Sequence, residues 1–281
     1  MPDLLAPLGR PRVMGVVNVT PDSFSDGGRY VDPDAAVAHG LALLGDGADL
    51  LDVGGESTRP GATRPLVAEE LARVVPVITA LAAAGATVSV DTMRAEVAEA
   101  ALEAGAAVVN DVSGGLADPG MLPLVGGSPA AYVAMHWRAH SDQMADFTDY
   151  PGGVLAGVVG ELRERVEACH AAGIGPDRLL LDPGLGFAKR PEDNWALLAG
   201  LPDLQVLAPV LVGASRKTFL GRLLAADGTD RPVGEREAAH LAVVLHAARA
   251  GVWGVRVHDV RSARDALRAW QAIASEEVQG D

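Results

Sequence analysis

Cysteine is almost absent from this chain: Cys169 is the only one in 281 residues. An intramolecular disulfide is thereby excluded. No HExxH motif, Cys/His cluster or comb of carboxylates marks a metal held by protein groups alone. Runs of Lys or Arg are missing too, and the net charge is −14. A phosphate backbone needs a basic face, so no nucleic acid is expected as a main partner. The chain lacks a cationic start followed by an apolar run, the mark of a secretory signal. Its most apolar stretch, 238–257, carries His240, His246, Arg249 and Arg256, and reads as a buried helix and a strand, not a membrane span. A cytoplasmic protein with no membrane contact is the expectation. Two further signatures are missing. Arg216, not glycine, precedes Lys217, so VGASRKTFLG is no Walker A loop, and Gly213-Ala214-Ser215 lacks the G-x-S-x-G elbow.

What the chain does have is a repeated apolar pattern. Short apolar runs occur at 13–17, 50–53, 87–90, 106–109, 131–135, 179–181, 210–212 and 255–257. Each stops at polar or charged residues: Asn18, Glu56, Asp91, Asn110, His136, Asp182, the stretch from Ser215 to Lys217, and His258. Helical patterns separate most of the runs, at 34–45, 71–81, 95–104, 154–172, from 192, from 217, at 235–250 and from 262. A closed parallel sheet buries both faces of its strands, which accounts for runs of Val, Leu and Ala without polar alternation. The fold class is α/β, a single-domain (β/α)8 TIM barrel, whose functional groups gather at strand C-terminal ends. The expected boundaries are a proline-punctuated leader at 1–12, the barrel at 13–275 and a tail at 276–281. Loops one and two, 18–30 and 54–65, exceed the usual strand-to-helix length of about 2–6 residues, which points to function.

Asp91, Asn110 and Asp182 end three different strands and should converge on one mouth. A carboxylate there can accept the N–H and NH2 edge of an aminopyrimidinone ring in bidentate fashion, and an amide can serve both donor and acceptor atoms. Asp182 is assigned that edge. The plain alternative is that each residue caps a helix or fixes a turn. Lys217 opens a helix after strand seven, where free N–H groups favour an anion or a polarised carbonyl. Arg256 and His258 lie two residues apart and face one side, so both can meet one anion; alternatively, Arg256 pairs with a carboxylate. Loop one supplies Asn18, Phe24 and Asp26, and loop two supplies Thr58, Arg59 and Pro60. Their glycines would permit closure over a substrate, the plain alternative being a flexible surface turn.

MGVVNVTPDSFSDGG (14–28), VGGESTRPGA (53–62), VDTMR (90–94), NDVSGG (110–115), LDPGLGF (181–187), SRK (215–217) and RVHDV (256–260) together resemble the dihydropteroate synthase family, with an actinobacterial flavour. The resemblance spans nearly the whole chain. It implies a homodimer that condenses 6-hydroxymethyl-7,8-dihydropterin diphosphate with p-aminobenzoate to give 7,8-dihydropteroate and diphosphate in folate biosynthesis. It places the pterin on Asp91, Asn110, Met135, Asp182, Lys217 and Arg256. The diphosphate falls on Asn18, Arg256 and His258, with Mg2+ held by substrate oxygens and Asn18. The p-aminobenzoate site falls on Phe24, Thr58, Arg59, Pro60, Phe187, Lys217 and Thr218. Asp91, Lys217, Arg256, His258, Asp26 and Arg59 carry the expected catalytic roles. Thr218 departs from the Ser or Arg of many relatives, on the side where sulfonamides would bind. Two other readings share the pterin pocket: a methyltetrahydrofolate methyltransferase, which would have no use for a diphosphate site, and a non-catalytic paralogue.

Overall fold

A computed structural model describes residues 4–20, 32–56, 64–140 and 143–279. Its strands are β1 (Arg12–Asn18), β2 (Leu50–Gly54), β3 (Val88–Asp91), β4 (Val108–Asp111), β5 (Ala131–Met135), β6 (Leu179–Asp182), β7 (Leu211–Val212) and β8 (Gly254–Val257). All pair in parallel, in the order β6-β5-β4-β3-β2-β1-β8-β7. An isolated parallel bridge between Leu181 and Val210 joins the two ends, with Leu181 N–H donating to Pro209 O over 3.0 Å. The sheet thus forms a nearly closed barrel, the (β/α)8 architecture that the repeat of apolar runs predicts.

The helices among the described residues are α1 (Pro33–Gly45), α2 (Val67–Ala83), α3 (Ala95–Glu103), α4 (Met121–Gly126), α5 (Val154–Ala171), α6 (Pro191–Ala199), α7 (Leu201–Gln205), α8 (Thr218–Leu223), α9 (Glu237–Arg249) and α10 (Val260–Gln279). Helices α4 and α7 carry no sequence signal, because one or two turns are too short to show a 3.6-residue period. Helix α10 continues through residues 276–279.

Strand side chains alternate between two cores. The outward set, including Val13, Val17, Leu51, Val53, Val88, Val90, Leu179 and Leu181, packs under the helices. The inward set at the strand starts, Met14, Leu50, Val108, Val133, Leu180 and Leu211, plugs the bottom of the barrel. Leu4 and Leu5 pack against that plug, Trp253 Nε1 donates to Leu4 O over 3.1 Å, and Arg12 Nη2 donates to Ala6 O over 2.7 Å. Leu4 and Leu5 thus cover the N-terminal end of the barrel. One inward step further up β2, β4, β6 and β8, the residues turn polar: Asp52, Asn110, Asp182 and Arg256.

Candidate active site

That polar layer floors a cavity of about 790 Å³ at the C-terminal mouth. Asn18, Asp91, Asn110, Met135, Asp182, Phe187, Lys217, Thr218, Arg256 and His258 all line it. Phe24, Asp26, Thr58, Arg59 and Pro60 lie outside the described residues. The two ends of the expected pocket meet at Gly213. A Cβ added there would sit 3.6 Å from Asp182 Oδ2, 3.8 Å from Arg256 Cβ and 3.9 Å from Lys217 Nζ. A side chain at this position would fill the space between them.

Arg256 is engaged from two sides. Its Nε donates to Asp52 Oδ2 over 2.6 Å, and its Nη2 donates to Asp91 Oδ2 over 2.7 Å. Asp52 also accepts from Asn110 Nδ2 over 3.0 Å and is wholly buried. Burial works against the guanidinium charge, but the two carboxylates overcome it and hold Arg256 above the ordinary arginine range. Asp91 shares one cation with Asp52. Its own burial outweighs the pull of Arg256 and lifts its carboxyl to about 7. So Arg256 does pair with carboxylates, yet it stays in the cavity wall, and Nη1 has no hydrogen bond among the described residues.

Asp182 divides its two oxygens. Oδ1 accepts the Gly184 N–H over 2.7 Å and fixes the turn after β6, while Oδ2 faces Gly213 and the cavity. Turn-fixing and ligand-facing are thus compatible in one carboxylate. Burial raises its pKa against the opposing charge of Lys217. Lys217 sits at the N-cap of α8, its ammonium donating to Leu185 O and lying 4.9 Å above the Phe187 ring. Burial presses it down to about 8, and Arg256 adds to that against Asp182. Met93, Val112 and Met135 form an apolar wall with Phe187 packed against it, suited to a flat ring.

At the other side of the mouth, Ser215 Oγ accepts the His258 backbone N–H at 3.3 Å and lies 2.9 Å from its Nδ1. The hydroxyl can donate to Nδ1, an arrangement in which Nε2 carries the ring proton. Asn18 ends β1, the strand next to β8. Among the described residues no cluster of three or more His, Cys, Asp or Glu could hold a metal ion. A single neutral amide oxygen beside Arg256 and His258 nevertheless fits Mg2+, which dehydrates reluctantly and is commonly completed by phosphate oxygens and water.

Sequence reading missed three contributors. Asp52 was hidden inside the apolar run LLDVG, where a carboxylate in a buried strand is the available signal. Ser215 was noted only as a strand end. Lys189 lines the cavity from the β6–α6 loop, with Nζ 3.0 Å from His136 Nδ1 and donating to Phe187 O over 3.0 Å. Its signal is a lone lysine between Phe187 and Pro191.

The family model described as "Pterin binding enzyme" matches residues 14–258, so this barrel, with carboxylates and cations at one mouth, is of the pterin-binding enzyme class. Dihydropteroate synthase of Mycobacterium leprae (strain TN) is 55% identical over 95% of this chain and 94% of its own length. Dihydropteroate synthase of Xanthomonas albilineans, solved with 4-aminobenzoic acid, superposes with a TM-score of 0.86 at 49% identity, covering 94% of this chain and 93% of that one. The same enzyme in complex with 7,8-dihydropteroate gives 0.83 at 46% identity, covering 96% and 95%. The chain belongs to the dihydropteroate synthase family, transferases of folate synthesis.

Proposed function

We propose that this chain condenses 6-hydroxymethyl-7,8-dihydropterin diphosphate with p-aminobenzoate, using the residues of the cavity as follows. Asp182 Oδ2 accepts the N–H and amino edge of the pterin, Asn110 meets the neighbouring ring atoms, and Met135 covers a ring face. Arg256 Nη1 and His258 Nε2–H donate to the diphosphate as it leaves with the bonding electron pair. The electron-rich pterin supports the positive charge left on its methylene, and the arylamine nitrogen supplies the new bond and then releases a proton. Asp91 balances the Arg256 charge throughout. Lys217 covers the junction between ring and arylamine. An aromatic amine is nucleophilic without strong base assistance, so no dedicated base is assigned. Asn18 would hold Mg2+ together with substrate oxygens, and the ion would supply Lewis-acid neutralisation of the diphosphate. Phe24, Thr58, Arg59, Pro60, Phe187, Lys217 and Thr218 are proposed for the p-aminobenzoate side, and Asp26 and Arg59 for catalysis.

The observation that carries this reading is the meeting of Asp182 and Arg256 around Gly213, within the reach of one ring and its phosphorylated tail. The testing experiment mixes the chain with the pterin diphosphate, p-aminobenzoate and Mg2+. Diphosphate release that depends on the arylamine supports it, and release indifferent to the arylamine ends it. A methyltransferase would leave the Arg256 and His258 pocket unused. A homodimer and cytoplasmic residence are proposed from the family; sedimentation reads the first. None of the described helices is long and apolar enough to cross a membrane.

A further inference from the structure

The loop from β6 to α6 carries Phe187 on an unusual backbone. Gly184, Gly186 and Ala188 all have positive φ, at 66°, 77° and 48°. Ala188 is not glycine, and a left-handed alanine is strained unless its surroundings hold it. Ties to neighbouring groups do so. Asp182 Oδ1 accepts from Gly184 N–H over 2.7 Å, Asn194 Oδ1 from Gly186 N–H over 2.6 Å, and Ala188 O accepts from Tyr150 Oη over 3.0 Å. Lys217 adds a tie at Leu185 O, and a further one is Lys189, whose ammonium bridges Phe187 O and His136 Nδ1.

Behind Lys189 a chain of partners runs from the buried His136 to the part-exposed Glu161 and Arg138. His136 is 1% exposed, and its Nε2 lies 2.9 Å from Glu161 Oε2 on α5. With Nδ1 accepting from Lys189, Nε2 carries the proton and donates to Glu161. Arg138 holds the same carboxylate through Nε and Nη2. The acceptor state of His136 is secured by burial first and then by the Lys189 charge, which press its pKa down to about 4. Hydrogen bonds from His136 and Arg138 overcome the burial of Glu161 and keep it ionised, at about 2.

We propose that Lys189 is a positioning residue for the arylamine step, holding Phe187 and its loop in register through the chain His136–Glu161–Arg138 on the outer side of β5. This rests on the reading of the cavity as the pterin and p-aminobenzoate site. Phe187 lies under the Lys217 ammonium, so a shift of its carbonyl moves the wall on which the arylamine rests and leaves the Asp182 edge untouched. Burial presses Lys189 down to about 7; Lys217 and Arg138 press the same way, while Asp182 and Glu161 oppose them. As the lysine loses its proton the bridge weakens.

The test compares wild type with Lys189→Met and Glu161→Gln in steady-state turnover from pH about 6 to about 8.5. Expected are a rise of about tenfold in KM for p-aminobenzoate in Lys189→Met and about threefold in Glu161→Gln, with KM for the pterin diphosphate within about twofold of wild type. The wild-type KM for p-aminobenzoate rises with pH through about 7, and that rise is absent from Lys189→Met. Equal losses in kcat and both KM values, or a p-aminobenzoate KM within about twofold of wild type in both variants, overturns the proposal. If Lys189→Met does not fold, Glu161→Gln decides alone by the same split. A wild-type chain without arylamine-dependent diphosphate release would instead remove the reading of the site itself.

Discussion

Arg256 on β8 and Asp52 on β2 are joined across the barrel interior, Nε to Oδ2 over 2.6 Å, although β1 stands between their strands. The carboxylate has no exposed surface, and its Oδ1 has no hydrogen-bond partner. It also takes Asn110 Nδ2. One buried group therefore orients both an anion-side cation and a ring-side amide. A charge buried at this depth is tolerated only because it is paired.

Asp52→Asn tests that orientation. The amide keeps the size but loses the anionic acceptor, so Arg256 is left with Asp91 as its charged partner. The expected loss in kcat/KM is about hundredfold, about 3 kcal/mol of transition-state stabilisation. Asp52→Ala goes further and leaves a buried cation short of a partner, with an expected destabilisation of about 3–5 kcal/mol. Steady-state kinetics reads the first effect, and urea unfolding reads the second. A wild-type kcat/KM in Asp52→Asn would show that Arg256 needs no such holder.

Asp182→Asn separates the turn from the ligand edge. The amide oxygen still accepts the Gly184 N–H, but the ring's donor edge then meets the amide NH2, itself a donor, in place of a carboxylate oxygen. Charge-assisted hydrogen bonds contribute about 1.5–3 kcal/mol each, so affinity for a pterin is expected to fall by about a hundredfold or more. Calorimetric titration with a pterin measures it. Melting temperature should hardly change, because the turn is kept.

Asp91 gives the fold a pH signature. Burial raises its folded pKa from 3.8 to about 7, so between those values the folded chain holds a proton that the unfolded chain has released. The resulting stabilisation is full below the unfolded value and is lost as pH rises through about 7. Thermal melts from pH about 5 to about 8 should therefore show falling stability. In Asp91→Asn the decline should be shallower, since the group that releases the proton is gone; Asp182, shifted the same way by burial, leaves a remainder.

The barrel was legible because inward and outward residues are both apolar over the lower part of each strand, which produces unbroken runs. The point where the inward face turns polar was legible wherever it coincided with a strand end, as at Asp91, Asn110 and Asp182. Asp52 escaped because its polar step falls one residue before Val53, inside a run that continues apolar on the outer face. Lys189 escaped for another reason: its importance comes from His136 on a different strand, and no local spacing encodes that contact. Arg256 was legible as an anion binder from its strand position, but its two carboxylate partners are tertiary facts.

Arg256→Lys tests whether geometry or charge matters at the leaving-group end. The guanidinium reaches Asp52 through Nε and Asp91 through Nη2, and keeps Nη1 for an incoming anion. An ammonium is a single point of charge on a flexible stem and cannot hold three directions in one plane. The lysine variant should therefore retain positive charge in the barrel and melt within a few degrees of wild type. Its turnover should fall by at least about hundredfold, with the loss in kcat rather than in KM for p-aminobenzoate. Pre-steady-state measurement of diphosphate release locates the defect: a slowed release step assigns the planar fork to the departing group, whereas normal release with slow product dissociation assigns Arg256 to binding alone.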